Sequence, residues 1–402
     1  MIQLEQPRKF RALVNQAHQV AQEVFRPISR KYDRAEHSYP KELNMLAALL
    51  DGMNDSASDG GAGAAGLAQS SPSDGEVRNG ANMNTVLGLI ELCWGDVGLA
   101  LSLPRQGLGN AAIAAVASPE QKKRLAGCWA AMAITEPGAG SDSAAIRTTA
   151  VKDGDDYVIN GEKIYVTAGG RCDHVVVWAS LDPSKGRAAI KSFVVPKDTP
   201  GMELVRLDHK LGIRASDTAT LRFTDCRVPA ENLLGTADID TKKGFGGVMQ
   251  TFDNTRPVVA GMAVGLGRAA LERTRELLEA AGFNCDYRQH RWRQAAATAE
   301  LQRLEAEWDA ARLLTLRAAW MADNSQPNSL EASMSKAKAG RMVTEVTQKC
   351  AEIASSLGYA EDELLEKWAR DAKILDIFEG TQQIQLLIVA RRVLELSSAQ
   401  LT

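Results

Sequence analysis

In the stretch ILDIFEGTQQIQ, residues 374–385, one carboxylate, Glu379, stands between an apolar run and a Gly-Thr pair that reads as the mouth of a helix. Ile377 and Phe378 beside it would strip water from the carboxylate and raise its proton affinity, while a helix opening near Thr381 would favour the charged form. The two effects oppose each other, so the string alone does not set the net shift. A lone glutamate before a helix is ordinarily solvated surface. A second stretch, AITEPGAGSD, residues 133–142, gathers small residues around Gly138, Ala139 and Gly140, where consecutive backbone N–H groups could approach an anion or a flat ring. Thr135 and Ser141 add hydroxyls, although the same residues would also serve a tight helix-to-strand connection. No G-x-G-x-x-G follows a strand and opens a helix, which disfavours a Rossmann-type nicotinamide site.

The elements that must position these groups follow from hydrophobic period. Apolar residues recur at helical spacing from residue 9 to about 50 (Phe10, Leu13, Val14, then Leu43, Leu46, Leu49). The pattern dissolves over residues 51–81, a Gly-, Ala-, Ser- and Asp-rich run expected to be a mobile loop. Helical spacing resumes in VLGLIELCWGDVGLALSL and in SPEQKKRLAGCWA, where Ser118 and Pro119 mark a helix start. Between about 130 and 235 the period falls to two. DYVINGEKIYVTAG alternates on each side of Asn160-Gly161, which predicts a hairpin turn there, and HVVVWASL, AIKSFVVP and TATLRFTDCRVP read as further strands. After residue 245 helices return in four segments, the last following Glu379. The expected organisation is an α+β fold, mainly α: a helical domain over 1–128, a β domain over 129–240 and a second helical domain over 241–402.

A chain of 402 residues, 45% hydrophobic and 24% charged, can bury a large core, and a formal charge of −3 gives no overall footprint for nucleic acid or an anionic membrane. Nowhere do about 20 apolar residues run together, so neither a membrane span nor an export signal is expected. The six cysteines are scattered without short pairings, fitting neither a zinc site nor a disulfide framework and pointing to the cytoplasm.

Five strings in order, ITEPGAGSD, NGEKIYVTAGG, KLGIRASDTATLRF, FDNTRPVVAGMAVGLGRAAL and RDAKILDIFEGTQQIQLLIVAR, make this chain resemble the acyl-CoA dehydrogenase family over nearly its whole length. The resemblance implies an N-terminal helical domain, a middle β-barrel-like domain and a C-terminal four-helix bundle, with FAD between the β domain and the C-terminal helices. It implies that Ile134, Thr135 and Ser141 contact the flavin, that Tyr165, Val166 and Thr167 cover its other flank, and that Thr381 and Gln383 hydrogen-bond it. The family often has tryptophan where Tyr165 stands; an aromatic in the β core would also account for this residue. Ser141, Asp253, Arg256 and Gly380 match positions that touch an acyl-CoA, and Asp253 with Arg256 could equally form an ion pair near a helix start. Glu379 matches the base that takes the α-proton as a hydride leaves the β-carbon, its backbone N–H helping to bind the thioester oxygen. Some members carry the base on the helix of Asp253; Asn254 and Thr255 follow it here and neither can serve. The implied reaction is oxidation of an acyl-CoA to a trans-2-enoyl-CoA, with an electron-transfer flavoprotein as electron acceptor.

Two departures from the family pattern bear on assembly. Where an Arg-x-x-Phe-Gly stretch is usual, residues 281–293 read AGFNCDYRQHRWR, and where Gln-x-x-Gly-Gly is usual, residues 352–356 read EIASS. Both elements normally reach across a subunit interface to the neighbour's FAD. Their loss implies either a hetero-oligomer, in which a second acyl-CoA dehydrogenase-like subunit supplies them, or a homotetramer in which Arg288, His290, Arg291 or Arg293 substitutes. Two other readings remain: a damage-response, DNA-associated flavoprotein of the same fold, and a scaffold subunit that never fills its flavin site.

Overall fold

The computed structural model describes residues 8–48, 80–105, 107–239, 246–396 and 400, with the side chains of 246–254 left aside. The loop expected over 51–81 lies almost wholly outside the described residues, and Ala81 already opens a helix.

The chain begins with α1 (Arg11–Val20), which runs through a π-helical turn at Ala21–Phe25 into α2 (Arg26–Arg34). The wide turn stands immediately before Pro27, whose missing N–H cannot complete the regular ladder. Then come α3 (43–48), α4 (Ala81–Gly95), α5 (Val97–Leu101), α6 (Leu108–Val116) and α7 (Pro119–Arg124). Ser118 and Gln121 cap α7 reciprocally, as the Ser-Pro signal predicts.

Seven strands follow: β1 (Ala130–Ala133), β2 (Thr149–Asp153), β3 (Asp156–Thr167), β4 (His174–Ser180), β5 (Ile190–Pro196), β6 (Met202–Leu207) and β7 (Thr218–Pro229). They form one open sheet in the order β1-β4-β2-β3-β7-β6, with β5 on β4, a half-barrel rather than a closed barrel. The predicted hairpin turn at Asn160-Gly161 is corrected: β3 runs straight through it. The reversal falls at Gly154-Asp155, with Asp153 paired to Asp156. Gly161 marks a bulge against β7 instead, where a Cβ would lie 2.3 Å from Thr148 Oγ1. The Gly154-Asp155 loop is itself a Gly-Asp hairpin pair.

The C-terminal helices are α8 (Gly246–Ala280), α9 (Ala296–Asp323), α10 (Ser329–Ile353), α11 (Leu365–Leu375) and α12 (Gln382–Val393). α10 packs against α8, α9, α11 and α12, and α8 against α4, so one apolar core joins the two helical regions through Phe25, Ile90, Leu266, Val343 and Trp368. Gly265 makes the α4–α8 contact possible, because a Cβ there would meet the Ile90 carbonyl oxygen at 2.1 Å. The sheet keeps a separate core around Ile159, Val177, Phe193 and Leu221. Among the described residues no helix is long and apolar enough to cross a membrane.

A buried charged cluster locks the three regions together. Lys367 of α11 donates to Asp96 Oδ2 at 2.7 Å and to Asp371 Oδ2 at 2.5 Å, all three side chains being almost solvent-free. Asp96 caps α5 through Leu99 N, and Asp371 Oδ1 accepts the N–H of Ile213 from the β6–β7 connection at 2.5 Å. Flanked by two carboxylates, Lys367 is held above its ordinary pKa despite its burial. Ile213 and Ala215 complete the joint by entering the helical core.

Candidate active site

Glu379 lies in the connection from α11 to α12, where the backbone is left-handed at Glu379 (φ 57°) and at Gly380 (φ 88°). A glutamate in that region is strained, and strain of this kind persists only where surroundings over-determine it. They do so here. Gln385, fully buried on α12, donates from Nε2 to the Glu379 carbonyl at 3.1 Å. Lys336, buried on α10, donates from Nζ to the Gly380 carbonyl at 2.7 Å. Thr381 caps α12 by accepting the N–H of Ile384, which fixes the far end of the turn.

The carboxylate points toward α8. Thr255 Oγ1 donates to Glu379 Oε2 at 3.2 Å, and the charges of Arg256 and Lys336 act on the same group. Desolvation is the largest influence and raises the Glu379 pKa; the Thr255 hydrogen bond and then the two cations pull the other way without overcoming it. Burial lowers Lys336 to about 8, so at neutral pH it remains a cation under the loop. The crowding does not come from both sequence neighbours: Phe378 packs on the helical core, but Ile377 is turned outward. Among the described residues, none accepts a hydrogen bond from the backbone N–H of Glu379. A base of raised proton affinity therefore sits beside an open backbone donor. That pairing suits removal of a proton next to a carbonyl whose oxygen gathers negative charge.

The second group of predicted residues lies on the sheet. The N–H of Ile164 donates to the Thr135 carbonyl at 2.9 Å, which brings Ile134 and Thr135 beside the end of β3. There β3 bulges again against β7 between Lys163 and Val166. Tyr165 takes a left-handed backbone (φ 59°) and swings out, 65% exposed, so it is no part of the β core; Val166 is buried and Thr167 half-buried. Among the described residues the hydroxyls of Thr135, Ser141, Tyr165 and Thr167 find no protein hydrogen-bond partner.

Sequence reasoning missed the support beneath this surface. Lys163 is wholly buried and donates to the Ile134 carbonyl at 2.9 Å and to Glu136 Oε1 at 2.8 Å. Glu136 also accepts from Thr148 N, Thr148 Oγ1 and Arg147 N. Burial works to raise the Glu136 carboxyl, but Lys163 and these donors together hold it below its ordinary range, and burial brings Lys163 down to about 8. A lysine at an inward position of an alternating strand was the available signal. Lys336 had one too: it falls at helical spacing with Ala332, Ala339, Gly340 and Val343 on the buried face of α10.

Other predicted residues are placed apart. Ser141 and Gln383 are exposed, and no hydrogen bond among the described residues joins Thr381 or Gln383 to the sheet residues. Asp253 and Arg256 lie inside α8 rather than near its start; Arg256 is buried, and the side chain of Asp253 is outside the described residues. Arg288, His290, Arg291 and Arg293 are all exposed, with the Arg291 guanidinium 5.0 Å from the Trp292 ring centroid. Residues 352–356 close α10 and turn at Ser355 (φ 54°).

Known proteins share this fold. Residues 242–394 match the family model of the acyl-CoA dehydrogenase C-terminal domain, and residues 131–226 that of the middle domain. The short-chain specific acyl-CoA dehydrogenase of Rattus norvegicus mitochondria is 38% identical over 275 residues, which span 67% of this chain but only 63% of the rat protein. Acryloyl-CoA reductase (NADH) of Anaerotignum propionicum is 32% identical over 396 residues, 94% of this chain and 93% of that protein. The structure of butyryl-CoA dehydrogenase from Megasphaera elsdenii superimposes with a TM-score of 0.81 at 27% identity, covering 98% of this chain and 100% of that one. This chain belongs to the acyl-CoA dehydrogenase family.

Proposed function

We propose that this chain oxidises the Cα–Cβ bond of an acyl-CoA thioester to a trans-2-enoyl-CoA, with Glu379 as the base and FAD as the redox group. The observation that carries the reading is Glu379 itself, a carboxylate of raised pKa on a pinned, left-handed turn with its own N–H open. The family is FAD-dependent, and the residues of this chain fit such a group. Among the described residues, the hydroxyls of Thr135, Ser141, Tyr165 and Thr167 lack protein partners, and at Gly138 and Gly140 a Cβ would meet nothing within 4 Å beyond its chain neighbours. A flat ring and its chain can come close there. Ile134, Thr135, Ser141, Tyr165, Val166 and Thr167 would hold it from the sheet, and Thr381 and Gln383 from the start of α12. When bound, FAD supplies acceptance of the β-hydride.

The protein's share is proton removal and charge placement. A carboxylate oxygen of Glu379 takes the α-proton while the Glu379 N–H donates to the thioester oxygen, where enolate charge develops. Thr255 orients the carboxylate. Arg256, buried and acting on Glu379, limits how far its pKa rises and remains a candidate for the thioester end of the substrate. Gly380 lets the turn approach the substrate, and Asp253 remains a candidate for the pantetheine arm. An electron-transfer flavoprotein in the cytoplasm takes the electrons onward.

The test is Glu379→Gln. The amide keeps shape but cannot accept the proton, so the variant should retain FAD and lose anaerobic bleaching of the flavin by every acyl-CoA in a panel of straight, branched and sterol-derived chains. Reduction at the wild-type rate would move the base elsewhere. For assembly we infer a hetero-oligomer, since AGFNCDYRQHRWR and EIASS replace both cross-subunit FAD contacts. Full flavin content and turnover in this chain purified alone would overturn that and leave the exposed Arg288, Arg291 and Arg293 as the replacement contacts.

A further inference from the structure

The turn after α2 meets the β6–β7 connection at three side chains that the proposed reaction does not use. Glu36 Oε2 lies 2.9 Å from His209 Nδ1, and Glu36 Oε1 accepts the N–H of Lys210 at 2.8 Å, which fixes the oxygen facing the imidazoles. The rings of His37 and His209 stand 5.0 Å apart at 57°. One ligand atom from each of Glu36, His37 and His209 lies within 4.8 Å of the other two.

His37 is the informative member. Both of its ring nitrogens are buried and, among the described residues, neither has a hydrogen-bond partner. Ring nitrogens shielded in this way lose their water contacts without compensation, although the residue as a whole is only half-buried. Its backbone is also left-handed (φ 69°), so the chain bends to bring the ring inward. The nearby Lys210 ammonium is engaged with the Ser216 carbonyl at 2.6 Å, and Asp217 pairs with Arg171.

We propose that Glu36, His37 and His209 form a binding site for one zinc-type divalent cation. Two imidazoles and one carboxylate suit Zn²⁺, and the largely exposed His209 side chain leaves a fourth position to water. The cation would join the end of the N-terminal helix pair to the β6–β7 connection. That connection also reaches α11 through Ile213 N and Asp371, so the ion would brace the joint that carries the Glu379 turn from its far side.

The test uses the purified flavoprotein, stripped with EDTA and titrated with ZnCl₂ by calorimetry. We expect saturable uptake of one ion per chain. Affinity should fall by roughly 100-fold or more in His37→Ala and in His209→Gln, since even outer partners of a metal site cost 10–100-fold. His174→Ala, which removes a separate surface pair with Asp173, should bind as wild type does. His209 is exposed, so His209→Gln folds without leaving a cavity and decides the matter alone if His37→Ala does not fold. Zn²⁺ should raise the Tm of the wild type and not that of His209→Gln. Absence of one-to-one uptake by the wild type, or equal affinity in His209→Gln, overturns the proposal.

Discussion

Thr255→Val isolates the effect that sets the strength of the base. Valine keeps the branched shape at a buried position of α8 and deletes the one hydroxyl that donates to Glu379 Oε2. That hydroxyl bonds the charged carboxylate, so it favours ionisation and lowers the pKa; its loss must raise the pKa further. A hydrogen bond to a charged group contributes about 1.5–3 kcal/mol, and at 3.2 Å to a half-buried residue the lower end applies. With about 1.36 kcal/mol per pKa unit, the shift is about one unit upward. The assay is kcat/KM against pH, whose acid limb reports the base of the free enzyme. The limb should move up by about one unit, so activity on its acid side drops about tenfold while the plateau holds. Equal flavin content and circular dichroism would exclude a folding effect. An unmoved limb, or one displaced to lower pH, would refute the assignment of Thr255 to the ionised carboxylate.

Two further substitutions test the scaffold. Lys367→Met strands Asp96 and Asp371 in the core without their counter-charge and should cost about 3–5 kcal/mol of unfolding free energy near neutral pH, measured by urea titration. Because burial raises the Asp371 pKa, the deficit should shrink as acid protonates Asp371; a deficit independent of pH would mean that this carboxyl is not ionised in the cluster. Glu136→Gln removes the counter-charge of buried Lys163 and turns one acceptor oxygen into a donor facing Arg147 N or Thr148, and should both lower the Tm and loosen FAD. The Glu136 pKa is depressed in the folded protein, so its contribution is present above the unfolded value near 4.5 and is lost below it. The Tm gap between wild type and variant should therefore close below that pH.

Much of the architecture was legible because its signals are local. Helical spacing located α4 and α8–α10, runs rich in valine, phenylalanine and threonine located β4, β5 and β7, and Ser118-Pro119 marked a helix start that a reciprocal cap confirms. The hairpin misplaced at Asn160-Gly161 shows the limit of such signals. Asn-Gly tolerates the turn dihedrals, but Gly161 is needed because β3 passes against Thr148, and proximity to residue 148 has no signature within a few residues of 161. The site divides the same way. The strings around Thr135, Tyr165 and Glu379 were readable as candidates, whereas Lys163 and Lys336 were absorbed into element patterns whose polar exceptions went unread.

The proton affinity of Glu379 shows why a site can be found in a sequence before its chemistry can be. The local string offered two opposed effects, apolar neighbours and a helix start, and left the sign open. Burial raises the affinity against opposing groups remote in sequence: α8 brings Thr255 and Arg256 and α10 brings Lys336, which all lower it, while α12 brings Gln385 to hold the turn. One supposed desolvating neighbour, Ile377, faces outward. Desolvation still dominates because helices close around the carboxylate, and the compensating charges are few and partly engaged elsewhere, Lys336 with the Gly380 carbonyl. Each of those contacts depends on the α11–α12 turn staying where Lys367, Asp371 and Ile213 anchor the helix that precedes it. The base is therefore tuned by tertiary packing across three parts of the chain, and loosening that joint should alter its pKa even with every residue around Glu379 unchanged.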